Sequence, residues 1–163
     1  MILITDTREQ DELIFVQTHG VSVVRRTLEV GDYGAIHVVE GRELQDSTVI
    51  ERKSVADLFS SYTNDYDREK AKIKRAMELR LKFVLAIEAS ASEIRWGHTY
   101  WDGTEQKEAK KSGISMIRQL MSVSRQYGVD VWFCESRYDM AFRIQEYFLA
   151  WERLTKDAKE IKA

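Results

Sequence analysis

The sequence predicts an α/β fold, with a mixed β-sheet flanked by helices. Three observations point to it. Short apolar runs with strand character alternate with amphipathic segments of helical period. Two early runs face each other around a tight turn, Gly31-Asp32-Tyr33-Gly34, which adds an antiparallel part. Finally, 163 residues with 44% hydrophobic and 32% charged side chains suit one domain, 1–163, with a real core.

Met1–Thr5 reads as a buried strand. Asp11–Thr18 reads as a short helix with Leu13, Ile14 and Val16 as its apolar residues. Ser22–Glu29 and Ala35–Glu40 read as strands, Gly41–Gln45 as a polar loop, and Ser47–Lys53 as the next strand. Ser54–Tyr62 has Val55, Leu58, Phe59 and Tyr62 at helical spacing. Ser54 and Asp57 make a capping-box-like pair at its start. Arg68–Lys82 reads as a helix with Ile73, Met77 and Leu81 as its apolar stripe, and Phe83–Glu88 as a strand. Residues 92–112 break the rhythm and read as a long, mobile connection. Ile114–Tyr127 is a helix, Val129–Glu135 a strand, and Asp139–Thr155 a helix with Ala141, Ile144, Phe148 and Trp151 inward. Strands separated by helices imply a sheet covered on both faces.

Composition narrows the function classes. No apolar run approaches the ~18 residues of a membrane span, and the N-terminus lacks the basic region of a signal peptide. A single cysteine, Cys134, fits a reducing, intracellular setting and reads as a core residue. That setting is the cytoplasm in a bacterium or phage host and the nucleus in a eukaryote. The net charge of −2 does not advertise nucleic-acid binding, but its distribution does. Residues 1–57 hold 6 basic and 11 acidic side chains, whereas residues 68–82 hold seven basic and two acidic ones. An acidic pole beside a basic segment suits a metal-dependent nuclease; a solvated helix face has the same composition.

The densest chemistry lies in Val49-Ile50-Glu51-Arg52-Lys53. Side chains alternate along a strand, so Glu51 and Lys53 share a face roughly 6–7 Å apart. An acid within an apolar strand calls for a partner or a metal. Asp6, Asp32 and Asp57 are further acids at element boundaries. Carboxylates that share a pocket resist joint ionisation unless a cation compensates. Mg²⁺ answers that need, since it takes oxygen ligands and phosphate-bearing substrates. Lys53 could then orient or deprotonate a water, or neutralise transition-state charge. Each residue also has a structural reading. Asp57 can simply cap its helix, Glu51 and Lys53 can be a surface pair, and Asp32 can be a turn residue.

The chain carries Asp6-Thr7-Arg8-Glu9, then Gly31-Asp32-Tyr33, then Glu51-Arg52-Lys53-Ser54-Val55-Ala56-Asp57. In these motifs, and in their order, it resembles the nuclease domain of the XPF family of structure-specific endonucleases, over about residues 2–90. The resemblance implies a restriction-endonuclease-like fold and Mg²⁺- or Mn²⁺-dependent cleavage of DNA at branches or single/double-strand junctions, in repair or recombination. It implies Asp32 and Glu51 as metal ligands, Lys53 as the catalytic lysine, and Asp6 as an additional ligand or supporting acid. Arg8, Arg52 and Asp57 would support catalysis; Arg52 could equally form a salt bridge within the fold. The family's tandem helix-hairpin-helix domain has no counterpart after residue 113, so the resemblance is to the nuclease domain alone.

DNA contacts beyond the centre are expected on two basic stripes, Arg68, Lys72 and Arg75, and Lys70 with Lys74. Trp96, Tyr100 and Trp101 could stack on unpaired bases or pack their loop onto the body. His19, His37 and His98 lack metal-ligand spacing and are expected to be non-catalytic. The expected partner is DNA, with no membrane and no organic cofactor. Phe148, Trp151 and Leu154 could support a homodimer or pack the chain's own core. Two rival readings are a catalytically inactive DNA-binding scaffold and a Holliday-junction resolvase or restriction-type nuclease of the same fold.

Overall fold

The structure is a computed structural model that describes residues 1–16, 20–97, 99–101 and 104–160, with side chains of 100, 101 and 155–160 left out. It is a mixed seven-stranded sheet flanked by helices. Strand β1 (Ile2–Thr5) runs parallel to β2 (Ser22–Arg25) and antiparallel to β3 (Tyr33–Val39). The other edge of β3 pairs with β4 (Arg42–Gln45) and, at Tyr33, with β5 (Thr48–Lys53). Parallel strands β6 (Lys82–Ile87) and β9 (Asp130–Phe133) complete it.

Helices α1 (Val55–Asn64), α2 (Tyr66–Glu78) and α4 (Gly113–Tyr127) cover one face. Helix α5 (Arg137–Glu160) and residues 13–15 cover the other. Alternation along the strands feeds both layers. Val49, Phe83, Leu85 and Ile87 enter the first core, and Ile50, Val84 and Ala86 the second. Glu51 and Lys53 thus project with Val49 toward α1 and α2, and Arg52 projects to the other side.

Several expectations are corrected. Asp11–Thr18 is not helical over its described part, and residues 17–19 lie outside the described residues. Leu13 and Phe15 are buried while Ile14 and Val16 are 77% and 67% exposed, which is a period of two, not 3.6. The Leu13 N–H donates to the Tyr33 hydroxyl at 3.1 Å and pins the segment. The polar stretch Gly41–Gln45 contains strand β4. Glu40 and Gly41 have φ of 53° and 75°, so a two-residue turn folds it back on β3. On α2 the inward row is Glu69, Ile73 and Ala76; Met77 is half exposed.

The connection expected to be irregular over 92–112 holds helix α3 (Ala91–Trp96) and a hairpin of β7 (Thr99–Trp101) and β8 (Gln106–Glu108). Ser90 and Glu93 form a full capping box that starts α3. Gly113 lets α4 abut it, because a Cβ there would lie 1.8 Å from the Ile94 carbonyl oxygen.

The Ser22–Glu29 and Ala35–Glu40 runs do not pair across their turn, because β1 lies between β2 and β3, and Glu51 and Lys53 are a buried pair and not a surface one; other structural readings fit. Ser54 caps α1, accepting from the Asp57 N–H at 3.1 Å. Cys134 is fully buried, and burial pushes its thiol up to about 11. His37 is buried against Asp46, 3.0 Å away, and stacks on Trp151. Phe148 and Trp151 therefore pack within the chain, while Leu154 is exposed. His19 and His98 lie outside the described residues. Among the described residues no helix is long and apolar enough to cross a membrane.

Candidate active site

Three strand ends converge, and backbone hydrogen bonds hold them together. Asp6 follows β1, Asp32 precedes β3, and Glu51 lies in β5. The Asp6 N–H donates to the Asp32 carbonyl at 2.7 Å, and the Asp32 N–H donates to the Ile50 carbonyl at 2.8 Å. Gly31 makes this crossing possible. Its φ is +82°, and an added Cβ would stand 3.0 Å from Val49 Cβ. Beside the strand ends opens a cleft of about 270 Å³, lined by Asp6, Arg8, Glu9, Asp32, Glu51, Arg68 and Lys72 among others.

Asp32 and Glu51 form the acidic floor. The Arg52 N–H donates to Asp32 Oδ2 at 2.8 Å, which orients that carboxylate. Burial, then the like charge of Glu51, pushes the Asp32 carboxyl up to about 7. Glu51 is 3% exposed. Its Oε1 meets two ammonium groups, Lys72 in direct hydrogen-bond contact and Lys53 at 3.4 Å. Burial opposes the Lys72 ammonium, but Glu51, Glu69 and Asp32 outweigh it and hold its pKa above the ordinary lysine range.

Lys53 is 6% exposed and does not line the cleft. It donates to Glu69 Oε1 at 3.1 Å and to Ser61 Oγ at 3.2 Å. Helix α2 supplies both Glu69 and Lys72, three residues apart on one face.

Asp6 is engaged on both oxygens. Arg8 binds it through Nε at 2.7 Å and Nη2 at 3.0 Å, and the Arg8 and Leu28 N–H groups donate to it as well. Burial alone would raise its pKa; these bonds win and hold it below the usual aspartate value. Among the described residues no group of three or more His, Cys, Asp or Glu could hold a metal ion. The carboxylates at the cleft floor are Asp32 and Glu51, the second already met by Lys72 and Lys53. That set fits Mg²⁺, which binds through one or two carboxylates and fills its octahedron with water and phosphate oxygens.

The other expected residues lie further out. Arg52 projects to the opposite face and pairs with Glu88 at 2.6 Å, Asp11 at 3.0 Å and Glu9 at 3.4 Å. Burial would lower its pKa, but Glu88 first and then Glu9 raise it, so it stays charged. Asp57 is exposed in the first turn of α1, where its carboxylate accepts from the hydroxyl of the capping Ser54 at 2.7 Å. Arg68 and Lys72 reach the cleft wall, whereas Arg75 pairs with Glu29 and Glu78. Lys70 pairs with Asp67 at 2.6 Å and lies over the Tyr66 ring. Lys74 is exposed. Trp96 is 62% exposed, with the Arg95 guanidinium 4.8 Å above its ring. The Tyr100 and Trp101 side chains lie outside the described residues.

Glu69, Glu9 and Glu88 escaped sequence reasoning. Glu69 left one signal, a charged residue in the helical row of Ile73 and Ala76. An acid in such a row needs a buried cation, and Lys53 is that cation.

Comparisons with known proteins bear on the family and the fold. The family model described as the ERCC4 domain matches residues 5–146. No curated protein matches the chain. Among the solved structures that share its fold are two at 18% identity. "XPF from Aeropyrum pernix" superposes with a TM-score of 0.64 over 98% of this chain and 69% of that one. "XPF from Aeropyrum pernix, complex with DNA" does so with 0.57 over 96% and 66%. The chain thus spans about two thirds of the length of each. A match covering most of the sequence, on a restriction-endonuclease-like fold, places the chain in the ERCC4 domain family, a family of DNA endonucleases.

Proposed function

We propose that this protein is a DNA endonuclease that hydrolyses phosphodiester bonds with the help of Mg²⁺ or Mn²⁺ held by Asp32 and Glu51. The observation that carries the reading is the pairing of these two mutually repelling carboxylates in a cleft whose wall is cationic. When bound, the cation supplies Lewis-acid polarisation of the scissile phosphate.

The chain's own groups do the rest. Arg8, Arg68 and Lys72 draw the phosphodiester into the cleft and offset its charge. Asp6 holds the Arg8 guanidinium in place instead of acting as a ligand. Lys53 holds Glu51 from behind and keeps its charge tolerable in a buried position. Water attacks phosphorus in line and one P–O ester bond breaks, leaving one phosphate end and one hydroxyl end. The neighbouring structure with DNA bound supports DNA as the substrate. The family resemblance and Trp96, which offers an exposed ring to an unpaired base, support a preference for junctions.

One observation favours the scaffold reading. Glu51 is already neutralised by two lysines, as suits a site that binds without cutting. Cleavage of labelled duplex, flap, fork, four-way-junction and single-stranded DNA with Mg²⁺, Mn²⁺ or EDTA decides between them. Metal-dependent cutting that disappears in Asp32→Ala supports the nuclease. DNA binding without cutting under every metal supports the scaffold.

A further inference from the structure

Lys72 differs from the other cations of the cleft in where its charge sits. Arg8 is tied to Asp6, and Arg68 is exposed and makes no ion pair among the described residues. Lys72 lies directly on Glu51 Oε1, at the carboxylate pair itself, with Glu69 Oε1 at 3.7 Å. We infer that Lys72 is the resident counterion of the Asp32–Glu51 pair, and that it must leave Glu51 for a divalent cation to load, so it sets the cation affinity of the site. This inference rests on the metal-site reading above.

The arrangement supports such a departure. Lys53 is locked, with its side chain 8% exposed and three contacts on Glu51, Glu69 and Ser61. It stays with Glu51 whatever Lys72 does. The Lys72 side chain is 30% exposed on the cleft wall and has a flexible four-carbon stem. One turn earlier on α2 stands Arg68, on the same wall. A Lys72 released from Glu51 therefore swings along the wall toward Arg68, where a phosphate would sit. Two cations competing for one carboxylate oxygen weaken each other's hold. The site should bind a divalent ion less tightly than two carboxylates could, and binding should improve when Lys72 moves to a phosphate.

The test needs no DNA and no turnover. Mn²⁺ binding is measured by the loss of the free-ion paramagnetic resonance signal, at pH 7.5 and fixed salt. The proteins are the parent chain, Lys72→Met, Lys72→Gln, Lys72→Arg and Asp32→Asn. Both uncharged variants should bind Mn²⁺ roughly tenfold tighter than the parent, the scale of losing one partly buried ion pair. Lys72→Arg keeps a cation on Glu51 and should bind as weakly as the parent. Two uncharged variants of different shape guard against one that fails to fold. Tighter binding in either folded variant upholds the inference. Unchanged or weaker binding, with parent binding still lost in Asp32→Asn, overturns it and leaves the metal reading intact. No Mn²⁺ binding by any protein, the parent included, overturns the metal reading and this inference together.

Discussion

The backbone N–H of Arg52 donates to Asp32 Oδ2 at 2.8 Å, so the strand carrying Glu51 also orients the acid that precedes β3. This one bond joins two motifs whose acids stand nineteen residues apart in the chain. It also brings two negative charges into one cleft, at a cost that can be measured.

That cost gives the first prediction. Asp32 titrates near 7 in the folded chain, against 3.8 for an ordinary aspartate. Between these values the folded state binds the extra proton, so stability falls as pH rises from about 4 to about 7. Asp32→Asn should remove that slope and raise stability above pH 7 by roughly 1–3 kcal/mol. Mg²⁺ at pH 8 should stabilise the parent chain and not the variant. Thermal melts from pH 4 to 9, with and without Mg²⁺, check both points. Cleavage by the variant should fall by at least ~10³-fold if Asp32 holds the metal.

The Asp6–Arg8 pair behaves in the opposite sense. The folded Asp6 carboxyl lies below its ordinary value. Its stabilisation is fully present above pH ~4 and is lost as pH falls through the folded pKa. Asp6→Ala should cost about 2–3 kcal/mol, since several bonds to a buried carboxylate vanish. Arg8→Lys should not restore parent activity, because an ammonium cannot reproduce the two-pronged grip on Asp6. Chemical denaturation reads the first outcome and cleavage rate the second.

Much of this was legible in the sequence because alternation is a local property. Val49 to Lys53 announced which side chains share a face, and the sheet obeys. Asp11–Thr18 misled because its four apolar residues, Leu13 to Val16, form one unbroken run without a period. Its choice of a period of two is made by Tyr33, a residue distant in sequence. Strand β4 hid because it is exposed along its whole length and so lacks an apolar face to read. Glu69 left only a faint signal for a different reason. A charged residue turns inward only when a buried partner waits for it, and Lys53 lies sixteen residues upstream on another element.

Lys53 and Glu69 give the third prediction. Lys53→Met leaves two buried glutamates with Lys72 alone, which should cost about 3–5 kcal/mol. Glu69→Gln should recover much of this loss when added to Lys53→Met, because it removes the orphaned charge. A double-mutant cycle followed by chemical denaturation measures the coupling. Lost cleavage in Lys53→Ala therefore speaks of chemistry only after its melting curve has been compared with the parent's. Lys53→Met with Glu69→Gln is the better probe. It takes away the ammonium while keeping the fold, so activity that stays absent there would belong to Lys53 itself.

The basic helix face yields the last prediction, and geometry divides it where the sequence could not. Arg68 lies on the cleft wall and forms no ion pair among the described residues, while Lys70 is tied to Asp67 and lies over Tyr66. Arg68→Ala should weaken binding to all DNA structures alike and reduce the slope of log K against log salt by about one. Lys70→Ala should change neither, since its charge is spent within its own helix and outside the cleft. Trp96→Ala should act differently from both. Its exposed ring touches no phosphate charge, so the salt slope should hold, while affinity for substrates with unpaired bases falls by about 1–3 kcal/mol. Fluorescence anisotropy with duplex and forked DNA across a salt series separates the three. A salt slope lowered by Lys70→Ala and untouched by Arg68→Ala would place the DNA on the outer face of α2, away from Asp32 and Glu51.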